Sequence, residues 1–352
     1  MDRDTKSKIV IVGAGPAGLS CAISLRRLGV EDILVVDSHT FPRDKCCAGY
    51  VTSKTGKVYK ELGLNIEDCN YSLIEDFSIL SKNVERQKIK NKFLYTNRLI
   101  NRVELDHGFF LVAKDQGIDI WEDAAVVGLN VDEKIVELSG SRTVSFDKLV
   151  FADGTMGFGR KYQTKRGKMN IAMQCLFEAD IPDKIDIHFG ISKKGYGWVS
   201  SYKGRVNIGL TDVWSEDTNY RELFADFLNE LQLDVNTDGL YAAFTPMTVG
   251  EPIVQECIYY AGDALGACDP MTLSGLRYGL ASGKKVAESI SSGDNSIIKK
   301  FVASLKRRFW YMRVMQSVFY LAPVQFLVFD VGCRFFGEFI SAVFNNFFVN
   351  KK

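Results

Sequence analysis

The alternation of apolar and polar positions divides the chain into short strands and amphipathic helices. Residues 9–12 (Ile-Val-Ile-Val) form a β-branched run of the kind buried on both faces of a sheet. A glycine-rich break follows, and then Leu19, Ala22, Ile23, Leu25 and Leu28 recur at helical spacing. A second apolar run, residues 33–36, ends in Asp37. Helical spacing returns over residues 51–64 and 101–117, while 118–129, 134–138 and 144–153 read as strands. Residues 77–93 alternate weakly among many charges, as a solvated pair of edge strands does. From about Gly167 the pattern becomes long alternating strands over 170–179, 184–190, 197–202 and 206–211, one face of an antiparallel sheet. Residues 220–231 are helical, 257–261 form a strand, and a glycine-rich passage leads into a helix over 276–290. A strand–turn–helix unit is re-entered there after an insertion, so two domains are interleaved.

The first break, Gly13-Ala14-Gly15-Pro16-Ala17-Gly18, carries recognisable chemistry. Gly13 suits the tight turn, Gly15 lets backbone approach a pyrophosphate, and Gly18 lets helix pack closely on strand. The helix that follows presents unpaired N–H groups and a positive dipole end to phosphates. Asp37 stands about twenty residues on, where an acid receives a ribose 2′-hydroxyl. Strand, glycines, helix, strand and acid in register predict a dinucleotide site.

Composition narrows the function classes. With 352 residues the chain buries a sizeable core and suggests two domains. Forty-four Lys and Arg balance 43 Asp and Glu, so no global field draws in nucleic acid. Eight cysteines at irregular spacing, none in a CxxC pair, read as reduced thiols. His39, His107 and His188 share no ligand spacing, and no metal site is expected. The charged start, MDRDTKSK, leads directly into the first strand, which suggests a cytoplasmic protein.

Four separated blocks give the chain a family likeness. It resembles the glutathione-reductase-type FAD flavoproteins, and among them the geranylgeranyl reductase family, which includes the digeranylgeranylglycerophospholipid reductases. The first block is the glycine turn with Asp37. The second, Pro42-Arg43-Asp44-Lys45-Cys46-Cys47-Ala48-Gly49, is similar to a PRxKxCGG loop, with Ala48 for a glycine. The third is Ala152-Asp153-Gly154, followed by Gly157 where serine is usual and by Arg160. The fourth, residues 262–272, is similar to GDAAGxxDPxT and continues into Gly275-Leu276. The resemblance implies an α/β protein: a Rossmann-like FAD domain over 1–72, 98–164 and 252–300, and an antiparallel-sheet substrate domain over 73–97 and 165–251. Hydrophobic helices over 301–352 complete it.

The resemblance also implies roles. Gly13 to Gly18, Asp37, Arg43, Cys47, Ala48, Gly49, Arg102, Val126, Asp153, Gly154, Asp263, Gly266, Gly275 and Leu276 would hold FAD, with Arg102 near its ribityl-phosphate region. Asp263, at a strand end, suits hydroxyl donors, and the helix opening at Gly275 offers N–H groups to the flavin's pyrimidine edge. Cys47 falls on the position beside the flavin ring, and the flanking Arg43 and Lys45 favour a lowered thiol pKa; Cys46 reads as packing. Tyr196 and Trp198 keep the aromatics of the family's YxWxFP substrate motif. Departures concern substrate: Ser200-Ser201 replaces Phe-Pro, and Leu273-Ser274 stands where Gly-Glu is usual.

The expected activity is FAD-dependent reduction of carbon–carbon double bonds in an isoprenoid-like or other apolar substrate, with Cys47 and Tyr196 as candidate proton donors. An FAD-dependent monooxygenase and a flavin-binding redox sensor without turnover are the alternatives; the GWxWxIP motif of halogenases is missing. One dinucleotide fingerprint leaves NAD(P)H and a ferredoxin-type protein open as electron donors. The aromatic-rich segment 309–349, preceded by Lys306-Arg307-Arg308, has three readings: helices over the substrate cavity, a peripheral contact with the inner membrane surface, or a dimer face.

Overall fold

The structure, a computed structural model, describes residues 4–74, 76–81, 84–90, 98–163 and 167–328. Its helices are α1 (Pro16–Arg27), α2 (Ser53–Glu61), α3 (Arg102–Asp115), α4 (Tyr220–Glu230), α5 (Gly262–Leu265), α6 (Leu276–Ser292), α7 (Ser296–Phe319) and α8 (Ala322–Phe326).

One sheet carries the first strand at its centre. Its order is Ile253–Val254, Ile258–Tyr260, Arg142–Phe151, Asp4–Val12, Ile33–Val36 and Asp119–Trp121. Every pair from Ile258–Tyr260 onward is parallel, as apolar runs covered on both faces require. Ile9 to Val12 and Ile33 to Val36 are buried accordingly, and α1 packs against both α3 and α6. The hairpin Val126–Asn130 and Ile135–Leu138 branches antiparallel from Arg142–Phe151.

The expected single strand over 118–129 is two strands, Asp119–Trp121 and Val126–Asn130. Asp123 takes a positive φ of 50°, and Glu122 turns to accept the Phe41 N–H, so the chain must break its extended run there.

The second sheet has seven strands in the order Tyr241–Pro246, Met169–Glu178, Arg205–Val213, Gly197–Tyr202, Lys184–Phe189, Asp76–Ser81 and Val84–Lys90. The hairpin at its edge is the pair expected within 77–93; residues 91–93 lie outside the described residues. Period-2 alternation divides its middle strands into two chemistries. Ile171, Met173, Cys175, Val199, Val206, Ile208 and Leu210 share a cluster with Tyr220, Phe224, Phe227 and Leu228 of α4. On the opposite face Asn170, Gln174, Trp198, Ser200, Asn207 and Thr211 are buried. Buried polar groups need partners: Asn170, Gln174, Ser200 and Asn207 find them in the chain at Pro270, Cys47 and Ala48, while Trp198 bonds Asn207 and Thr211 bonds the Ile171 carbonyl within the sheet.

A helix runs unbroken from Ser296 to Phe319, so the expected boundary at 300/301 falls inside it. Its buried positions, Ile298, Val302, Leu305, Phe309, Met312, Gln316 and Phe319, recur at helical spacing. Met312 and Phe319 meet Phe189, Met271 and Tyr196 at the junction of the two sheets. The remainder of the aromatic segment, residues 329–349, lies outside the described residues. No described helix is long and apolar enough to cross a membrane.

Candidate functional site

A cavity of about 530 Å3 opens between the two sheets, within the range of ligand pockets. The turn after the first strand supplies one end. Gly13 has φ +103°, and a Cβ there would lie 2.5 Å from the Ala152 carbonyl oxygen, so no other residue fits. Gly15 is the N-cap of α1, Pro16 opens the helix, and no side chain caps its first turn. Gly13, Gly15, Pro16, Ala17 and Asp37 line the cavity. Ala14 and Gly18 do not: Ala14 donates its N–H to Asp37 Oδ2 at 2.7 Å, and Gly18 packs on the Gly13 carbonyl. Asp37 Oδ1 accepts the His39 N–H at 2.9 Å, so the carboxylate stitches the turn to the second strand.

Opposite charges and a loop build the next wall. The guanidinium of Arg43 lies 5.1 Å above the Phe41 ring, which stacks on Phe110. Arg102, at the first turn of α3, makes three hydrogen bonds of 2.9–3.1 Å to Asp106 one turn on, and both side chains are buried. Burial opposes the Arg102 charge, but Asp106, Cys47 and Tyr59 outweigh it and hold its pKa above the usual range. Arg102 and Cys47 border the same cavity, and the Cys47 sulfur accepts the Gly49 N–H at 3.5 Å. The Cys47 backbone is clamped by the second sheet: its N–H donates to Gln174 Oε1 at 2.9 Å, and its carbonyl accepts from Asn207 Nδ2 at 3.0 Å. Cys46 also reaches the cavity, but burial pushes its thiol up to about 12. Ala48 and Gly49 face a smaller cavity of about 60 Å3 on the far side of this loop, a cavity that Cys47 and Arg102 also border.

Val126, Asp153, Gly154, Asp263, Gly275 and Leu276 line the large cavity as well. Asp153 Oδ2 accepts the Gly159 N–H at 2.8 Å; burial, partly countered by that bond, raises its pKa to about 6. Gly275 is the N-cap of α6, whose first turn has no side-chain cap. Gly266 lies elsewhere: it ends α5 in a left-handed conformation, packed against the Thr248 carbonyl.

Neither aromatic expected at the substrate wall lines this cavity. The Tyr196 hydroxyl donates to the Thr272 carbonyl at 2.8 Å, and burial raises its pKa. Trp198 is buried and donates its indole N–H to Asn207 Oδ1 at 3.0 Å. Trp198 lies on a strand inside the sheet and Tyr196 stands just before it, and both side-chain hydrogen bonds go to neighbours rather than to open space.

The sheet residues that do line the cavity are Tyr241, Ala243 and Thr245. They alternate along an edge strand, while Phe244 packs toward the α4 cluster. Their period-2 spacing was present in the sequence, but alanines and a terminal proline made it a weak strand signal. Gln174 and Asn207, which clamp Cys47, were also not singled out; polar residues on an otherwise apolar strand were the available sign. Leu273 completes the rim and holds φ +53°, a conformation strained for a leucine.

The cavity fits the expected cofactor. Arg43 Nε, Asp153 Oδ1 and Thr245 Oγ1 are buried, lack a hydrogen-bond partner among the described residues, and belong to residues that line it. With two uncapped helix N-termini, these atoms suit a ligand that brings phosphates at one end and hydroxyls or ring heteroatoms along its length.

Comparisons with known proteins agree. Residues 7–170 match the family model described as pyridine nucleotide-disulphide oxidoreductase. A menaquinone reductase of Mycolicibacterium smegmatis is 30% identical over 320 residues, covering 82% of this chain and 78% of the relative. Digeranylgeranylglycerophospholipid reductase 1 of Methanosphaera stadtmanae is 23% identical, covering 83% and 77%. The crystal structure of a geranylgeranyl bacteriochlorophyll reductase-like protein from Thermoplasma acidophilum superposes with a TM-score of 0.73 at 19% identity, over 90% of this chain and 88% of that one. The chain is an enzyme belonging to the family of FAD-dependent oxidoreductases that includes this menaquinone reductase.

Proposed function

We propose that this protein adds two hydrogens across a carbon–carbon double bond of an apolar, isoprenoid-like substrate. Bound FAD, once reduced, would supply the hydride. Gly13, Gly15 and the first turn of α1 hold the cofactor's pyrophosphate through backbone N–H groups. Asp37 keeps lone pairs for ribose hydroxyls beyond the two N–H groups it already accepts. Asp153 and Asp263 would accept from the cofactor's hydroxyls, and the uncapped first turn of α6 would offer N–H groups to its ring.

Cys47 gives the proton to the second carbon, with the buried Arg102 cation lining the same cavity. Tyr196 is a positioning residue: its bond to Thr272 holds the Leu273 rim in place. Tyr241, Ala243 and Thr245 form the wall past which the substrate chain runs. Electrons come from outside, from NAD(P)H or a ferredoxin-type protein. The cations Lys54, Lys57, Arg277 and Arg308 near the head of α6 support an anionic donor; burial first, then Arg277, Arg308 and Lys57, lowers the Lys54 pKa.

The observation that carries this reading is Cys47, its backbone held by Gln174 and Asn207, in the wall of the same cavity that Arg102, Leu273 and Tyr241 line. The names of two relatives, a menaquinone reductase and a digeranylgeranylglycerophospholipid reductase, support a substrate bearing a polyisoprenyl chain. The test is turnover of reduced holoprotein with polyprenyl lipids without oxygen: a saturated product supports the reading, and a product formed only with oxygen contradicts it.

A further inference from the structure

We propose that the outer face of α7 docks the protein on a bilayer surface carrying anionic headgroups. Residues 296–327 include six basic side chains and no Asp or Glu. Three of the six are tied to the body. Lys306 pairs with Glu251 at 2.8 Å, Arg308 lies over the Tyr278 ring, and Arg313 donates to the Met247 carbonyl. The other three, Lys299, Lys300 and Arg307, are exposed. The nearest acid along the chain, Asp294, is spent on the helix head, where it accepts the Ser296 N–H at 2.8 Å.

Beyond the bases the same helix turns apolar side chains outward. Trp310 is 60% exposed, Tyr311, Val314 and Val318 are 41–45% exposed, and Leu321 just past the helix end is 54% exposed. Residues 307, 310, 314 and 318 follow one another at three- and four-residue steps, so bases and apolar groups form one stripe. The inner face is already satisfied by Val302, Leu305, Phe309, Met312 and Phe319. Single exposed apolar residues are ordinary, but a contiguous stripe marks a contact.

Charge decides the occupant. A symmetric contact with a second copy would bring two acid-free basic helices together, with like charges facing. Headgroup phosphates complement the bases instead, while Trp310 and Tyr311 are the residue types that settle at the boundary of headgroups and acyl chains. No described helix suits a span, so the contact lies on the surface. The inference stands independently of the substrate, since it concerns binding and not turnover.

The test is co-sedimentation of the full-length holoprotein with phosphatidylcholine vesicles, with and without phosphatidylglycerol. Wild type binds the phosphatidylglycerol vesicles, and added salt weakens the binding. Trp310→Ser combined with Val314→Ser and Val318→Ser loses about tenfold in binding, with flavin content unchanged. Lys299→Gln with Lys300→Gln and Arg307→Gln removes the preference for phosphatidylglycerol, and serves as a separate variant should the first not fold. Wild type failing to bind, or both variants binding like wild type, overturns the proposal. So does a serine variant that converts a dimer to a monomer with its vesicle binding intact.

Discussion

The Tyr196 hydroxyl donates a 2.8 Å hydrogen bond to the Thr272 carbonyl, 76 residues along the chain. This bond ties the antiparallel sheet to the turn that opens α6. Within that turn, Leu273 N–H bonds the Asp269 carbonyl, Asp269 N–H bonds the Ser274 carbonyl, and Asp269 Oδ1 accepts the N–H groups of Met271 and Thr272. These bonds, with one from Asn170 of the sheet to the Pro270 carbonyl, hold a strained leucine at the cavity rim.

Replacing Tyr196 with phenylalanine removes the hydroxyl from the Thr272 carbonyl and keeps the ring packed on Phe189, Met271 and Met312. The expected loss is about 1–2 kcal/mol of stability, with turnover changed only a few-fold. Thermal unfolding and single-turnover rates check this. A proton donor at Tyr196 would instead show as a rate loss of several orders of magnitude at unchanged stability.

Asp153 gives the flavin-free protein a pH dependence of known sign. Burial raises its pKa from 3.8 to about 6. Its contribution to stability is therefore fully present below pH 3.8 and is lost as the pH rises through about 6. Asp153→Asn should stabilise the flavin-free form by roughly 3 kcal/mol at neutral pH relative to acid, while weakening flavin binding. Denaturation of both proteins at pH 4 and pH 7.5 measures the difference. Equal pH slopes would remove the buried carboxyl from the account.

How much of this was legible in the sequence varied with the range of the interactions. Ile9 to Asp37 could be read because strand, turn, helix and acid are specified by neighbours. Tyr241–Pro246 could not, because its extended form comes from pairing with Met169–Gln174 far earlier in the chain. The i, i+4 spacing of Arg102 and Asp106 was visible, but their burial depends on the loop packed over them. Tyr196 and Trp198 were recognisable as aromatics of a motif, yet their hydrogen-bond partners, Thr272 and Asn207, are properties of the folded sheet.

Two glycines of the first turn should fail differently. A Cβ on Gly15 meets only the Arg43 guanidinium, at 3.3 Å, the end of a flexible side chain. Gly15→Val should fold and lose most of its flavin, since the branch stands where pyrophosphate approaches. A Cβ on Gly18 would lie 1.9 Å from the Gly13 carbonyl oxygen. Gly18→Ala should destabilise the fold itself by about 3 kcal/mol or more. Flavin absorbance and unfolding midpoints separate the two outcomes, and identical behaviour would contradict the division.

The adjacent cysteines should also separate. Cys47→Ser keeps its backbone clamp to Gln174 and Asn207 and should retain FAD. Its turnover should fall at least tenfold, because a hydroxyl is a poorer acid than a thiol. Cys46→Ser places a hydroxyl in a largely buried position and should lower stability by about 1–3 kcal/mol, with little change in rate. Matching rates in both variants would take Cys47 out of the proton transfer.

The central claim is that this protein saturates a double bond in an apolar chain without oxygen. The direct measurement is anaerobic incubation of the reduced holoprotein with extracted lipids, followed by absorbance and mass spectrometry. The account predicts that oxidised-flavin absorbance returns as a lipid gains two hydrogens, and that Cys47→Ser slows both together. Absorbance that returns only when oxygen is admitted, with a hydroxylated product, would contradict it.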